Sequence, residues 1–382
     1  MSKYGYYLGM TDDQRDIVAI IKQFAERELD PIVKECDEKS EFPMQLHEKW
    51  GELGLWGMDV PAQYGGLELD SVTRYVITEE LAKHDAGFTI SNNSFSFGLA
   101  PILAVGTEEQ KRSACERVLR GEGISMAITE PQSGSDVGST RTRAEKTDGG
   151  YILNGVKCFI TNASICSACV VLAVTAPDAG YKGMSLFLVE KSFSGVSVGK
   201  HEDKMGIRLS DTADFVMEDV FVPEANLIGR EGEGFAYVMK FLDKKRPVSV
   251  AGAIGIAQRA LDLAVSYAKE RSFKKGPIAN LQAIQFMIAD IEMRVQASRS
   301  MALYGAQMTD KGIPIGTLGN SIKAFCSELC FEAVNMAMQV YGGYGYSREY
   351  PMEKLLRDVR IYSVFEGTNQ IQRTVIGKTL LS

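Results

Sequence analysis

At 382 residues, with 45% apolar residues and a formal net charge of -7, the chain is long enough for two or three structural layers around sizeable cores. No basic stripe offsets the acidic balance, and Lys244, Lys245 and Arg246 are too short a run to serve as one, which argues against a nucleic-acid binder. With only His47, His84 and His201 scattered along the chain, a histidine-rich metal site or a catalytic triad is not expected, and no metal ligand is assigned.

The N-terminus, MSKYGYYLGM, has no basic leader before an apolar core, so no secretory signal is expected. No membrane span is expected either, since no stretch approaches the roughly 18 apolar residues that a span needs. Helical pattern begins at Thr11, a cap followed by Asp12 and Asp13, with Ile17, Ile20, Ile21 and Phe24 on one face. Further helices are predicted around 44–53, 71–84 and 108–120, with PAQYGGLEL at 61–69 as a glycine turn. Asn92, Asn93, Ser94 and Ser96 interrupt an apolar helix-like stretch, as the polar lining of a pocket or as a solvated helix face.

From Gly123 the period changes to short β-branched or alternating runs, and Gly149-Gly150 and Asn154-Gly155 read as hairpin turns around one of them. Cys166 and Cys169 form a CxxC inside an apolar run without a second pair, which reads as buried thiols. Seven cysteines, an odd number without framework spacing, suggest the reduced thiols of a cytoplasmic protein. GREGEGF at 229–235 is a loop and not a dinucleotide fingerprint, because no βαβ unit surrounds it. Long helices are then predicted over 234–271, 281–310 and 316–341. The fold class is mostly α with a central β domain: helical over 1–122, β over 123–228, helical over 229–382.

The stretch 341–373, YGGYGYSREYPMEKLLRDVRIYSVFEGTNQIQR, carries the most information. A glycine-broken turn leads into an amphipathic helix with Leu355, Leu356, Val359 and Tyr362 on one face. Val364 and Phe365 then precede a single carboxylate, Glu366, followed by Gly367, and Thr368 or Asn369 can cap the next helix. An acid at such a corner is either a partly desolvated base of raised pKa or a surface glutamate at a helix end.

This stretch resembles the C-terminal signature of the acyl-CoA dehydrogenase family: GGYGY, EYPMEKLLRD and FEGTNQIQR. Three more motifs resemble it in the family's order: AITEPQSGSDVGS with NGVKCFITNAS, MGIRLSDTADFVMEDVFVP, and LDKKRPVSVAGAIGIAQRAL. The resemblance implies an N-terminal helical bundle, a β-barrel domain and a C-terminal four-helix bundle. It also implies FAD-dependent α,β-dehydrogenation of an acyl-CoA to the trans-2-enoyl-CoA, as in fatty acid metabolism, with electrons passed to an electron-transferring flavoprotein. Such a reaction needs a base, a polarised carbonyl and a hydride acceptor, and no side chain accepts hydride.

By resemblance Glu366 is the catalytic base, with the adjacent backbone N–H helping to polarise the thioester carbonyl and Gly367 among the substrate-binding residues. Met126, Ile128, Thr129 and Ser135 match the strand and turn that cradle the flavin, Ser135 lying also against the CoA portion. Phe159, Ile160 and Thr161 match the strand beside the flavin, and Thr368, Asn369 and Gln370 the segment holding it next to the base. Arg271, Gln282, Gln339, Gly342 and Gly343 are expected to reach the FAD of a neighbouring subunit in a homotetramer, a dimer of dimers. Asp243 and Arg246 match residues on the substrate side, or form a salt bridge with each other on one helix face.

The chain departs from the pattern at RSFKKG, 271–276, where Lys274 and Lys275 replace a Phe-Gly pair; they reach the FAD pyrophosphate or are solvated at a loop tip. Lys245 stands where some branched-chain and long-chain members place their catalytic glutamate, which groups this chain with the short- and medium-chain type. The absence of an arginine near Asn93 disfavours glutaryl-type chemistry. The same site could run as an enoyl-CoA reductase, and a non-catalytic flavin-bearing scaffold is the reading from another class.

Overall fold

The first helix starts where its capping chemistry dictates: Thr11 Oγ1 accepts from the Gln14 N–H at 3.2 Å and the Gln14 side chain accepts from the Thr11 N–H at 3.2 Å. The computed structural model describes residues 9–274 and 276–382, apart from the side chains of 242–244. Asp243 as a side chain and Lys275 therefore lie outside the described residues.

The N-terminal segment contains α1 (Asp12–Phe24), α2 (Val33–Lys39), α3 (Met44–Glu52), α4 (Ser71–Ala82), α5 (Ala86–Ser94), α6 (Leu99–Val105) and α7 (Glu108–Leu119). The strands are β1 (Ile124–Ala127), β2 (Arg143–Thr147), β3 (Gly150–Thr161), β4 (Ala168–Val174), β5 (Met184–Glu190), β6 (Val196–His201), β7 (Thr212–Pro223) and β8 (Leu227–Ile228). Then follow α8 (Gly234–Glu270), the small hairpin β9 (Ser272–Phe273) and β10 (Gly276–Pro277), α9 (Gln282–Asp310), α10 (Thr317–Ser321), α11 (Ser327–Tyr341), α12 (Met352–Val359) and α13 (Asn369–Leu381).

The central strands form one eight-stranded sheet in the order β6-β7-β3-β2-β4-β5-β8, with β1 added in parallel to β4. Strand β4 is apolar throughout because both of its faces are covered. Cys169, Val171 and Ala173 join Tyr151, Phe187 and Phe215 in one core, while Val170 and Leu172 pack with Leu99, Ile102 and Val118 of α6 and α7. Asp148-Gly149 makes the β2–β3 hairpin, with Gly149 at φ 75°. Asn154-Gly155, expected as a second turn, instead lies inside β3 at a register shift. A Cβ at Gly155 would come within 2.4 Å of Thr142 Oγ1, so glycine is needed for close strand approach and not for a reversal.

The helical core is built on α8, which packs against α4, α9 and α11. The stretch Lys245–Glu270 is long and apolar enough to cross a bilayer, against the expectation from sequence, but its apolar residues face this core. Arg299 of α9 reaches Glu79 of α4 at 2.7 Å and Gln258 of α8 at 2.9 Å, so one buried guanidinium fixes three helices. The helix predicted over 316–341 is one rod of α10 and α11 joined by a π-helical turn, Ile322–Cys326. Helix α12 is anchored to distant segments: Asp358 Oδ1 accepts from the Ile207 N–H at 2.6 Å, and Lys354 pairs with Asp85 at 2.5 Å.

Gly255 allows α8 to approach α4, since a Cβ there would lie 2.3 Å from the Glu79 carbonyl oxygen. Gly255→Ala is expected to destabilise the chain by about 1–3 kcal/mol through this overpacking. Thermal denaturation measures it, and an unchanged midpoint would contradict the proposed contact.

Candidate functional site

Glu366 sits between α12 and α13, and its backbone is left-handed, φ 53°, followed by Gly367 at φ 86°. A non-glycine residue in this region is strained and persists only when its surroundings hold it there. They do so through the two carbonyls of the corner. The Gln372 amide donates to the Glu366 carbonyl at 3.1 Å and the Gly367 carbonyl at 3.0 Å, and its own oxygen accepts from Asn320 at 2.7 Å. Lys323 Nζ donates to the Gly367 carbonyl at 2.7 Å and to Asn369 Oδ1 at 3.0 Å. Thr368 caps α13 by accepting from the Ile371 N–H at 3.3 Å.

The corner's carbonyls are therefore tied back, and the carboxyl of Glu366 is left half-buried beside charged groups. Burial pushes that carboxyl above the usual glutamate range; a hydrogen bond with Ser249 and the positive charge of Lys323, Arg246 and Lys245 oppose this without cancelling it. Lys323 is itself pushed down to about 8, chiefly by burial, with Glu366 opposing. Ser249, Arg246 and Lys245 lie within two turns of α8, at the break that Pro247 introduces into its hydrogen-bond ladder. A carboxyl held above its ordinary range by burial can accept a proton and return it.

A second group of residues lies on the sheet. Met126, Ile128, Thr129 and Thr161 are half-buried, and Ile160 is buried. Phe159 is displaced onto a bulge between Lys157 and Ile160, takes φ 56°, and leaves its ring 62% exposed. The backbone around them is held from beneath by a buried ion pair, Lys157 to Glu130 at 2.7 Å. Lys157 also donates to the Ile128 carbonyl at 2.9 Å, and Glu130 accepts from the Arg141 and Thr142 N–H groups at 2.7 and 3.0 Å. Such a rigid strand with an apolar ring and threonine hydroxyls at its surface fits a flat, hydrogen-bonding ring system. Ser135 is exposed on the turn beyond.

A third group borders a cavity of about 600 Å³ lined by Tyr267, Arg271, Ile278, Gly342, Gly343 and Tyr344, among others. Arg271 lies over the Tyr344 ring at 5.5 Å, and Tyr267 stacks on Tyr341 at 4.0 Å. An arginine, aromatic faces and side-chain-free backbone suit an anionic, aromatic ligand. Gln282 and Gln339 are exposed and outside that lining.

The structure brings Arg246 near the corner of Glu366, Gly367 and Thr368, while Gln370 is exposed. Asn369 is buried, and its amide donates to Ser327 at 3.0 Å while its oxygen accepts from Lys323, so it serves the corner's scaffold. The flagged Asn92 and Asn93 are held inside the helical segment, Asn92 by His47 at 2.9 Å and Asn93 by Thr78 at 3.0 Å; Ser96 instead donates to Asp59 at 2.8 Å. Lys274 is exposed over the Phe273 ring at 6.0 Å. Lys323, Gln372, Ser249 and the Glu130–Lys157 pair were missed, and the one available signal was a charge inside an apolar run, as in SIKAFC and GVKCFIT.

Comparison with known families matches the acyl-CoA dehydrogenase N-terminal domain over residues 11–122, the middle domain over 125–220 and the C-terminal domain over 232–381. The chain is similar to an acyl-CoA dehydrogenase of Bacillus subtilis, 41% identical and covering 97% of this chain and 99% of that protein. It is 38% identical to the acryloyl-CoA reductase (NADH) of Anaerotignum propionicum over 97% of this chain and 95% of that one. Among solved structures, butyryl-CoA dehydrogenase from Megasphaera elsdenii matches with a TM-score of 0.94 and 36% identity, covering 98% of this chain and 100% of the other. A half-buried carboxyl at a clamped corner, a rigid strand for a flat ring and these matches lead to one conclusion: the chain belongs to the acyl-CoA dehydrogenase family, FAD-dependent oxidoreductases.

Proposed function

We propose that the chain removes the α-proton and β-hydride of an acyl-CoA thioester to give the trans-2-enoyl-CoA. The observation that carries this reading is the clamped corner: Glu366 with its carboxyl desolvated and its backbone oxygens already bonded to Gln372 and Lys323. Among the described residues no acceptor is found for the Glu366 N–H, which leaves a donor for the thioester oxygen next to the base. That donor lowers the energy of the enolate as charge develops there, so a carboxylate can remove a proton that is otherwise too weakly acidic.

FAD, when bound, supplies the acceptor for the β-hydride. Thr129 and Thr161 would hold its ring edge, Met126, Ile128, Phe159 and Ile160 would line the strand beside it, and Thr368, Asn369 and Gln370 would keep the base segment adjacent. Ser135, Arg246 and Gly367 would face the thioester and CoA. Electrons would leave to an electron-transferring flavoprotein. A second reading rests on the similarity to acryloyl-CoA reductase: Glu366, protonated, would return a proton to Cα in the reverse direction.

Arg271, Gly342 and Gly343, with Gln282 and Gln339 near them, are proposed to complete the FAD site of a second copy. Helix α9 exposes Phe286 at 62% and Met293 at 59%, and Leu281 precedes it at 47%, more apolar surface than a monomer usually leaves in water. A homotetramer built as a dimer of dimers would cover it. Light scattering is expected to give four chains with one FAD each, and a stable monomer that retains FAD would refute the shared site.

Glu366→Gln keeps shape and removes basicity. Flavin should stay bound while its anaerobic reduction by acyl-CoA slows by about 10² or more. Near-normal reduction in that variant would remove Glu366 from the role of base.

A further inference from the structure

One charged cluster beside the proposed base is not used by the chemistry above. Lys245 lies four residues before Ser249 on α8, about 6 Å along the helix axis and on the same side. Ser249 bonds to Glu366, so Lys245 stands one turn further along the same wall, and its charge is felt at that carboxyl. Its ammonium donates to Asp59 Oδ1 at 3.1 Å; Asp59 also pairs with Arg74 and accepts from Ser96 at 2.8 Å. The side chains of Lys245, Asp59 and Arg74 are 13%, 15% and 11% exposed, so the cluster is nearly enclosed yet reachable. On the other side, Lys245 lies 5.7 Å from the Phe241 ring, which packs edge-on against Phe97 at 4.8 Å.

An ammonium carries three donors, and among the described residues Asp59 is the one hydrogen-bond acceptor that Lys245 has. Arg74 and Lys245 share the single carboxylate of Asp59, and Glu366 acts on Lys245 without a direct ion pair among the described residues. Burial and the Arg74 charge push Lys245 down to about 8, which is the mark of a cation short of compensating partners. A plain alkyl chain laid along this wall would strip water from unsatisfied N–H groups and offer nothing in return. An acyl group with an oxygen acceptor a few carbons beyond the thioester would satisfy them.

We propose that Lys245, oriented by Asp59, is a specificity-determining residue that selects acyl groups bearing an oxygen acceptor on their distal carbons over unsubstituted chains of equal length. This rests on the acyl-CoA reading of the Glu366 site. It differs from the expectation drawn from Asn93, because the cations here come from α8 and α4 and not from the α5 end. Sites built to bond a polar group reject the analogue lacking it by large factors, whereas an added methylene alone matters little.

The test compares three five-carbon thioesters, valeryl-CoA, 5-hydroxyvaleryl-CoA and glutaryl-CoA, by kcat/KM with FAD-loaded wild type, Lys245→Met and Lys245→Gln. Wild type is expected to prefer at least one oxygen-bearing substrate over valeryl-CoA by about tenfold or more. Lys245→Met should abolish that preference, and Lys245→Gln, which keeps an N–H donor without charge, should retain it for the hydroxyl and lose it for the carboxylate. FAD content and melting temperature check that the variants are folded, and the wild-type comparison stands without them. A wild-type preference for valeryl-CoA, or a polar preference that survives in Lys245→Met, would make the cluster an ion pair that only braces α8 against α4. Bound flavin that none of the three thioesters reduces would overturn the acyl-CoA reading itself.

Discussion

The contact on which the site depends is a buried lysine holding a carbonyl. Lys323 Nζ on the Gly367 oxygen, with Gln372 on the Glu366 and Gly367 oxygens, fixes a left-handed glutamate that the backbone would not otherwise adopt. The π-helical turn at 322–326 matters here, because one extra residue in that turn re-aims the side chains around Lys323 relative to a regular helix. A rod of ordinary helix from 317 to 341 would place that ammonium elsewhere. The strain at Glu366 is thus supported by a network that reaches through Asn369 and Asn320 into α10 and α11.

Three buried ion pairs brace the structure. Removing one partner of such a pair would leave an uncompensated charge, and such losses cost about 3–5 kcal/mol. Glu130 with Lys157 stiffens the strand on the sheet side, Glu79 with Arg299 locks the helices behind, and Lys354 bridges Asp85 and Asp358 below α12. Glu366 differs from these. It has several cations nearby and a hydrogen bond from Ser249, yet its carboxyl remains above the ordinary range because burial outweighs them. Burial raises Asp358 as well, but its oxygens are taken by Lys354 and the Ile207 N–H, whereas among the described residues no such ion pair holds the Glu366 carboxyl.

Much of this was legible in the sequence. The cap at Thr11, the β-branched period after Gly123 and the apolar face of α12 follow from local chemistry that tertiary contacts do not override. Glu366 was legible as a corner because Gly367 and Thr368 mark a chain reversal and a helix start. What was not legible depends on residues distant in sequence. Asn154-Gly155 has the composition of a hairpin turn, and only the approach of Thr142 shows why glycine stands inside a strand. Lys323 and Lys157 read as interruptions of apolar runs, since their acceptors are backbone oxygens, one carboxylate and one side-chain amide 27 to 46 residues away. Lys245 carried a meaning by position in the motif, but its partners Asp59 and Arg74 lie in another segment.

The central claim is that Glu366 is a base whose pKa is raised by burial. The most direct measurement is the pH dependence of the rate at which a saturated acyl-CoA reduces the bound flavin in a single anaerobic turnover. The account predicts a rate that climbs with pH as Glu366 loses its proton, with an inflection above the ordinary glutamate value of about 4.3, and then levels off. A rate that stays flat as pH rises above the ordinary glutamate value, or that falls there, would contradict it.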